Sequence, residues 1–263
     1  YERTLREEIA ARGLREEIVI VNQPGYGLSE AVDKVADFLD ASQTSPRRGY
    51  KGPTLGCGKG LVDPALLERY AFDRAGNGLL VSTDATGSIT ELQLNSAKNY
   101  VRFNLLSLLE QLRAKGRPAP LKAIVLGCTH FPYLTDLMRD YLRELRARPE
   151  YRDLIAPDLQ LIDPAVYTAR EAYRVLREQN RLSGKGDMSV EAYISVPDAD
   201  LPADKIGKDG RLTYAFRYSR NVGDPRGTKE VPFSSANIDA ETQGRLREKM
   251  PVSFEHIRHQ LDR

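Results

Sequence analysis

The sequence has only two cysteines, Cys57 and Cys128, in 263 residues. They are far apart and in unlike surroundings, so we expect no disulfide framework, and a reducing cytoplasm is the simplest interpretation. Neither sign of charge is in large excess, since 39 basic and 37 acidic side chains give a net charge of only +2. This balance gives no indication of a nucleic-acid or membrane partner. No apolar run approaches the roughly 20 residues that a membrane span requires.

The stretch at 122–134 carries most of the information, and it reads Lys-Ala-Ile-Val-Leu-Gly-Cys-Thr-His-Phe-Pro-Tyr-Leu. Residues 123–126 are apolar and partly β-branched, which predicts a strand buried on both faces. Pro132 suits a first helical turn, and apolar residues then recur at helical spacing. Residues 128–130 are therefore predicted in a strand-to-helix turn, where ligands bind in open α/β sheets.

A thiol, a hydroxyl and an imidazole are consecutive in this turn, at Cys128, Thr129 and His130. A helix N-terminus or an imidazolium lowers the pKa of a thiol from its usual value of about 8.5. An ionised Cys128 could act as a nucleophile or a base, and His130 could exchange a proton with the thiol or the substrate. The hydroxyl of Thr129, with the first amides of the helix, could hold a substrate carboxylate. The alternative is an inert, buried cysteine.

The segment 127–134 resembles the second cysteine motif of the aspartate/glutamate racemases, and that of glutamate racemase most closely. Leu-Ile-Asp-Pro-Ala at 161–165 resembles the next strand and turn of that family. The resemblance covers roughly residues 1–180 and is interrupted by an insertion at about 42–96. It implies an isomerase without cofactor or metal that interconverts L- and D-glutamate for peptidoglycan synthesis and cell-wall biogenesis. Its implied catalytic residues are Cys128 and His130, and Thr129 and His130 would bind the substrate.

Racemisation needs two bases, because the α-proton leaves one face of the carbon and a proton returns to the other. In the family both bases are cysteines, one from each pseudo-symmetric half, and Cys128 would be the thiol of the second half. The Asp-Ser, Tyr-Gly turn and Cys-Asn-Thr segments of the first half are not found here, and the neighbours of Cys57 do not match them. The chain begins at Tyr1 without methionine, so we expect a first half to precede it and this chain alone to be inactive.

In the family a glutamate in an early helix of the second half assists the histidine. This sequence has no glutamate at the best-matching position. Asp33 lies closest and could replace it, but an exposed helix acid is the preferred interpretation.

Two other functions fit the same residues. Cys128 with His130 could form a covalent intermediate as a nucleophilic enzyme, although no third, orienting residue is identifiable in the sequence. The chain could also be a non-catalytic binding relative of the racemases. The sequence does not fix the preferred amino acid or the oligomeric state, and the resemblance allows a homodimer.

The predicted class is α/β: a three-layer unit with a mainly parallel sheet, an inserted hairpin region and a β-containing C-terminal tail. The predicted domains are a racemase-like domain at 1–182 and an extension at 183–263. His256 and His259 are interpreted as surface residues, because no further metal ligand has suitable spacing.

The predicted strands are 17–22, 79–83, 89–94, 122–127, 159–163, 189–196 and 211–218, with a turn at Asp209-Gly210. The predicted helices are 1–13, one with apolar residues from Ala31 to Leu39, 98–115, one from Pro132 to Leu145, 164–181 and a charged one ending near Leu261.

Overall fold

The structure is a computed structural model that describes residues 2–14, 18–116, 119–182, 189–208, 210–219, 221–224 and 227–261. Two units are formed, Tyr1–Val175 and Leu176–Arg263. In chain order the helices are α1 (Glu2–Ala11), α2 (Leu28–Val32), α3 (Leu67–Tyr70), α4 (Ala97–Ala114), α5 (Thr135–Ala147), α6 (Pro149–Arg152), α7 (Pro164–Glu178), α8 (Tyr214–Tyr218), α9 (Ala240–Lys249) and α10 (Pro251–Ile257). The strands are β1 (Leu79–Thr83), β2 (Ile89–Leu94), β3 (Leu121–Val125), β4 (Ile155–Ile162), β5 (Tyr193–Pro197) and β6 (Thr228–Pro232).

The mixture of helices and strands confirms the α/β class in its broad sense. The three-layer arrangement is not confirmed. The described strands form three two-stranded sheets, and only β3–β4 is parallel. The boundary predicted between 182 and 183 adjoins residues 183–188, which lie outside the described residues, and it stays a prediction.

Helix α4 supplies much of the core of the first unit, and it confirms the helix predicted at 98–115. Ser96 caps its start, because its hydroxyl oxygen accepts a hydrogen bond from the backbone amide of Asn99 at 3.2 Å. The side chain of Asn99 is fully buried and donates to the carbonyl oxygens of Asp73 and Gly78 at 2.7 and 2.8 Å. Helices α2, α3 and α5 pack against α4. The core that positions the site therefore forms around one capped helix.

The predicted hairpin is confirmed, since β1 and β2 pair antiparallel. The carboxylate of Asp84 closes its turn by accepting hydrogen bonds from the amides of Thr86 and Ser88 at 2.8 and 3.0 Å. The side chains of Leu80, Leu92 and Leu94 are buried, so the hairpin contributes apolar side chains from both of its faces to the unit.

The parallel pair leads to the predicted site. In its register Ala123 is opposite Gln160 and Val125 is opposite Ile162. The prediction that this strand is buried on both faces is wrong: Lys122 and Ala123 are exposed, and Val125 is 49% exposed. The physical reason is that β3 has only β4 as a neighbour among the described strands, so its sheet stays narrow.

The strand predicted at 17–22 is not formed by residues 18–22, and Glu17 lies outside the described residues. Instead of a neighbouring strand, side chains from the last turn and the C-cap of α4 contact Ile20 and the nearby Gln23. Lys115 donates to the carbonyl oxygen of Ile20 at 3.3 Å, and Gln111 donates to the side chain of Gln23.

Helices α5 and α7 confirm two further predictions. Asp163 accepts a hydrogen bond from the amide of Ala165 at 2.9 Å, and in this way its carboxylate caps the start of α7. Helix α7 has no buried residue among its members, and Tyr167 and Tyr173 are 55% and 59% exposed. Among the described residues, no helix has both the length and the apolar character to cross a bilayer.

The second unit has a small core of its own, formed by Phe233, Ile238 and Phe254. Strand β5 pairs antiparallel with β6. The strand predicted at 211–218 is wrong, because Thr213 caps helix α8 by accepting from the amide of Phe216 at 3.4 Å. Of the predicted turn at Asp209-Gly210, Asp209 lies outside the described residues.

The charged helix predicted at the end of the chain is divided into α9 and α10. Pro251 begins α10, because a proline in the interior of one long helix would remove a backbone donor and clash with the preceding turn. His256 and His259 are exposed.

Candidate functional site

The turn that carries the thiol lies where the sequence predicts it. Cys128, Thr129 and His130 follow β3 and precede a 3₁₀ helix at Phe131–Leu134, which leads into α5. The amides of Phe131 and Tyr133 donate to the carbonyl oxygens of Cys128 and His130 at 3.1 and 3.2 Å. These two amides are therefore used within the turn, and they are not directed to a substrate carboxylate.

Cys128 is half-buried and has two polar neighbours. Its Sγ lies 3.5 Å from Nδ1 of His130 and 3.4 Å from Oγ of Ser29. Thr129, between the thiol and the imidazole in sequence, is exposed. The thiol therefore lies between an imidazole from its own turn and a hydroxyl from another part of the chain.

The opposite side of the imidazole contacts a carboxylate. Nε2 of His130 lies 3.3 Å from Oδ2 of Asp33, and both side chains are less than a third exposed. The prediction that Asp33 is an exposed helix acid is wrong. The reason is that α2 ends at Val32 instead of continuing to residue 39, so Asp33 takes the C-cap position and its carboxylate reaches His130.

Ser29 and Asp33 belong to the same short element. They are four positions apart, and the amide of Asp33 donates to the carbonyl oxygen of Ser29 at 3.0 Å. Residues separated by four positions lie on the same side of a helix. Helix α2 therefore presents a hydroxyl to Cys128 and a carboxylate to His130 from one face.

The position of α2 is fixed from its buried side. Leu28 and Ala31 are 4% and 3% exposed. The N-cap, Gly27, has a φ of 69°, and a Cβ atom there would be 2.2 Å from the ring of Tyr100. The side-chain amide of Asn104 also donates to the carbonyl oxygen of Tyr26 at 3.0 Å. Helix α4 thus holds the start of α2 by close packing and a hydrogen bond.

A second close approach joins the two loops of the site. A Cβ atom on Gly25 would be 2.3 Å from Cζ of Phe131. Only glycine lets the ring of Phe131 pack this closely against the segment before α2.

Opposing effects act on the pKa of Cys128. Partial burial raises the pKa of the thiol, because it disfavours the charged form. Hydrogen bonds from Ser29, and from the backbone amide and ring of His130, lower the pKa and together outweigh burial. The net result is a pKa below the usual value for a cysteine, so the arrangement stabilises the thiolate relative to that of an ordinary cysteine.

The part played by Ser29 could not be predicted from the sequence, because a lone serine at the start of a helix matches no catalytic pattern. Its contact with Cys128 spans 99 positions of sequence and is visible only in three dimensions. The other cysteine, Cys57, is exposed. Among the described residues there is no group of three or more His, Cys, Asp or Glu side chains that could hold a metal ion.

Comparison with known proteins gives partial matches to glutamate racemases. The chain is 36% identical to the glutamate racemase of Carboxydothermus hydrogenoformans over 81 residues, which is 31% of this chain and 25% of that protein. It is 34% identical over 83 residues to that of Limosilactobacillus reuteri, which is 32% of this chain and 26% of the relative. With the glutamate racemase of Stutzerimonas stutzeri the identity is 26% over 143 residues, or 54% of this chain and 46% of the relative.

These matches confirm the resemblance of the chain to the aspartate/glutamate racemase family, and to glutamate racemase in particular. The matched parts amount to between about a quarter and a half of each of these relatives. No protein-family model matches the chain, and no solved structure does.

Proposed function

We propose that this chain carries one of the two proton-transfer sites of a cofactor-independent amino-acid racemase that acts on glutamate. The observation that carries the proposal is the contact of Cys128 Sγ with Nδ1 of His130, at 3.5 Å, in a turn whose sequence resembles a racemase motif. The similarity to proteins named glutamate racemase supports the choice of reaction and substrate. The product, D-glutamate, would supply peptidoglycan synthesis.

In this proposal the thiolate of Cys128 removes the α-proton of one enantiomer and returns a proton to the other. A base matched to this task must be ionised near neutral pH, and the lowered pKa of Cys128 supports that role. With Asp33 accepting from Nε2–H, the ring of His130 presents the lone pair of Nδ1 to the thiol, and after taking up the thiol proton it donates Nδ1–H to the thiolate. His130 would then take up the thiol proton or pass it to the substrate, and the exposed hydroxyl of Thr129 would bind the carboxylate.

The second base must lie on the other side of the substrate, since one thiol cannot reach both faces of a carbon held by its carboxylate and ammonium groups. We propose that a first racemase half supplies this base, and that Cys57 does not. The same proposal includes the three-layer arrangement with a larger parallel sheet. The exposure of Lys122, Ala123 and Val125 on β3 supports it, because a strand of a parallel sheet is normally covered on both faces.

Isotope exchange tests the proposal. In heavy water, a protein that contains this chain together with a first racemase half should replace the α-proton of both D- and L-glutamate with deuterium. Cys128→Ala should abolish racemisation, and Cys57→Ser should leave it unchanged. The loss of α-proton signal in NMR spectra gives the rate. No exchange of either enantiomer, with the fold intact, would reject the racemase function.

The chain by itself is expected to be inactive, because it lacks the half that would hold the other side of the substrate and supply the second base. The same NMR experiment on the 263-residue chain should show no exchange. Rapid deuterium incorporation that disappears in the Cys128→Ala variant would contradict this expectation.

A second candidate, a nucleophilic cysteine enzyme, is favoured by one observation. The carboxylate of Asp33, His130 and Cys128 are connected in series, which is the arrangement in which a base oriented by a third group activates a nucleophile. A stable covalent adduct between Cys128 and a substrate-like electrophile, found by mass spectrometry together with absent α-proton exchange, would favour this function. Binding of glutamate without exchange or adduct would indicate a non-catalytic relative.

A further inference from the structure

We infer that Ser29 is a positioning residue for Cys128: its hydroxyl donates a hydrogen bond to the thiolate and holds Sγ beside His130. This inference deepens the proposed function, on which its catalytic meaning rests. The distance between Ser29 Oγ and Cys128 Sγ is 3.4 Å. No sequence motif marks Ser29, and the contact joins residues 99 positions apart.

The direction of this hydrogen bond changes with the charge of the sulfur. A protonated thiol can donate or accept, but a thiolate has no proton, so the hydroxyl of Ser29 must then be the donor. Hydrogen bonds to an ionised acceptor are stronger than those between neutral groups. Ser29 therefore stabilises the thiolate more than the thiol, and it does so without giving up its own proton.

The backbone around Ser29 gives the hydroxyl a fixed position. Two buried residues flank Ser29 in sequence: Leu28, directly before it, is 4% exposed, and Ala31, two positions after it, is 3% exposed. The amide of Ala31 donates to the carbonyl oxygen of Gly27 at 2.9 Å, which closes the turn on which Ser29 lies. A serine on a packed turn keeps its Cβ in place, so only one side-chain torsion needs to be fixed for the contact.

The thiol and the imidazole are held by different ends of α2. Ser29 contacts Cys128, and Asp33 contacts His130 one helical turn later. Two such contacts fix the separation of Sγ and Nδ1, which neither could do alone. Loss of the hydroxyl would leave Sγ free to change rotamer while the contact between Asp33 and His130 remains.

The test measures the ionisation of Cys128 in the 263-residue chain, with Cys57→Ser so that one thiol remains. The rate of alkylation by iodoacetamide is followed by mass spectrometry as a function of pH. Ser29→Ala should raise the pH midpoint of alkylation by about 0.5 to 1 unit, because the thiolate loses one charge-assisted donor. Ser29→Thr, which keeps a hydroxyl, should restore most of the shift.

Two further variants separate this role from a merely structural one. Ser29→Val has the shape of Ser29→Thr without a hydroxyl, so the midpoint of the Val variant should be higher than that of the Thr variant. This comparison stands even if Ser29→Ala does not fold. Ser253→Ala changes an exposed serine of α10 and should leave the midpoint unchanged. Equal midpoints for folded Ser29→Thr and Ser29→Val, or for the parent and a folded Ser29→Ala, would overturn the inference.

The readout is independent of racemisation, since no substrate is present. A midpoint that does not move would reject the role of Ser29 and leave the racemase function untouched. Conversely, absent exchange of glutamate would reject the racemase function while a shifted midpoint still identified Ser29 as the donor to Cys128.

Discussion

The carboxylate of Asp33 lies 3.3 Å from Nε2 of His130, on the side of the ring opposite Cys128. Asp33 is the C-cap of α2, so its backbone is held by the hydrogen bond from its amide to the carbonyl oxygen of Ser29. A carboxylate in this position favours the tautomer that carries its proton on Nε2. The ring then directs Nδ1 to the thiol, and Asp33 determines which nitrogen can receive the proton of Cys128.

Asp33→Asn should therefore slow racemisation in a protein that also contains a first racemase half. The amide keeps the size of the side chain but can no longer stabilise a charged ring. We expect kcat to fall by at least about tenfold, equivalent to roughly 1.4 kcal/mol of transition-state stabilisation, with KM little changed. Asp37→Asn is the matched control, because Asp37 pairs with Lys51 at the surface at 2.8 Å. An equal loss of kcat in the Asp33→Asn and Asp37→Asn variants would contradict a specific role for Asp33.

The two cysteines should differ sharply in function. In the same two-half protein, Cys128→Ser should reduce racemisation by at least about a thousandfold, because a hydroxyl is a far weaker acid than a thiol. Cys57→Ser should retain full activity, as expected for an exposed residue that takes no part in proton transfer. Circular-dichroism spectra of both variants check that the fold is retained. Loss of activity in Cys57→Ser would identify Cys57 as the second base.

The pKa of Cys128 should be lower in the folded chain than in the unfolded one. With Cys57→Ser, the pH midpoint of iodoacetamide alkylation should fall below that of the same chain in urea. A group with a lowered pKa in the native state stabilises the fold above the unfolded pKa, and this contribution is lost as the pH falls through the native pKa. A native midpoint at or above the unfolded one would contradict the donors assigned to Sγ.

Gly27→Ala should destabilise the first unit by at least about 2 kcal/mol, because the residue has a φ of 69° and its Cβ would meet the ring of Tyr100 at 2.2 Å. Gly244→Ala is the contrasting change. Gly244 lies in α9 with nothing within 4 Å of an added Cβ, so alanine should stabilise the second unit by about 0.5 to 1 kcal/mol. Thermal unfolding followed by calorimetry measures both. Unchanged stability of the Gly27→Ala variant would show that α2 can move away from Tyr100.

Asn99→Ala should destabilise the first unit by about 3 kcal/mol, because buried partners lose their hydrogen bonds. The side-chain oxygen of Asn99 accepts from the amide of Asp73 at 2.7 Å, and its amide group donates to the carbonyl oxygens of Asp73 and Gly78. Asn22→Ala, which removes an exposed hydrogen bond to Glu2, should cost less than about 0.5 kcal/mol. Urea unfolding measures the free energy of unfolding of both variants. Similar losses of stability in the two would contradict the role given to Asn99.

Local patterns in the sequence were sufficient to predict the helices and strands that have their own capping, turn or apolar-face residues. Helix α4 has a cap and a regular apolar face, and the hairpin β1–β2 has an aspartate-containing turn, so both could be predicted. The segment at 211–218 could not, because alternating residues there compete with a cap from Thr213 that starts α8. At 18–22 the apolar pattern is typical of a strand, but the side chain of Lys115, the C-cap of α4, binds the backbone of Ile20 instead.

The candidate site was predictable only in its contiguous part. Cys128, Thr129 and His130 are adjacent in sequence, so their strand-to-helix turn could be predicted from the residues on either side. The contacts of Ser29 and Asp33 depend on where a five-residue helix ends and how it packs on α4. Tertiary packing decides both, and no periodicity in the sequence encodes it.

Helix α2 also links the reactivity of the thiol to local unfolding. It is a short segment that reaches Cys128 only after the chain has closed a loop of 99 positions. If α2 detaches while the rest of the unit stays folded, Cys128 loses the hydroxyl donor and His130 loses its carboxylate. Alkylation of Cys128 in mild denaturant should thus report the opening of this one segment at lower urea concentrations than those that melt α4.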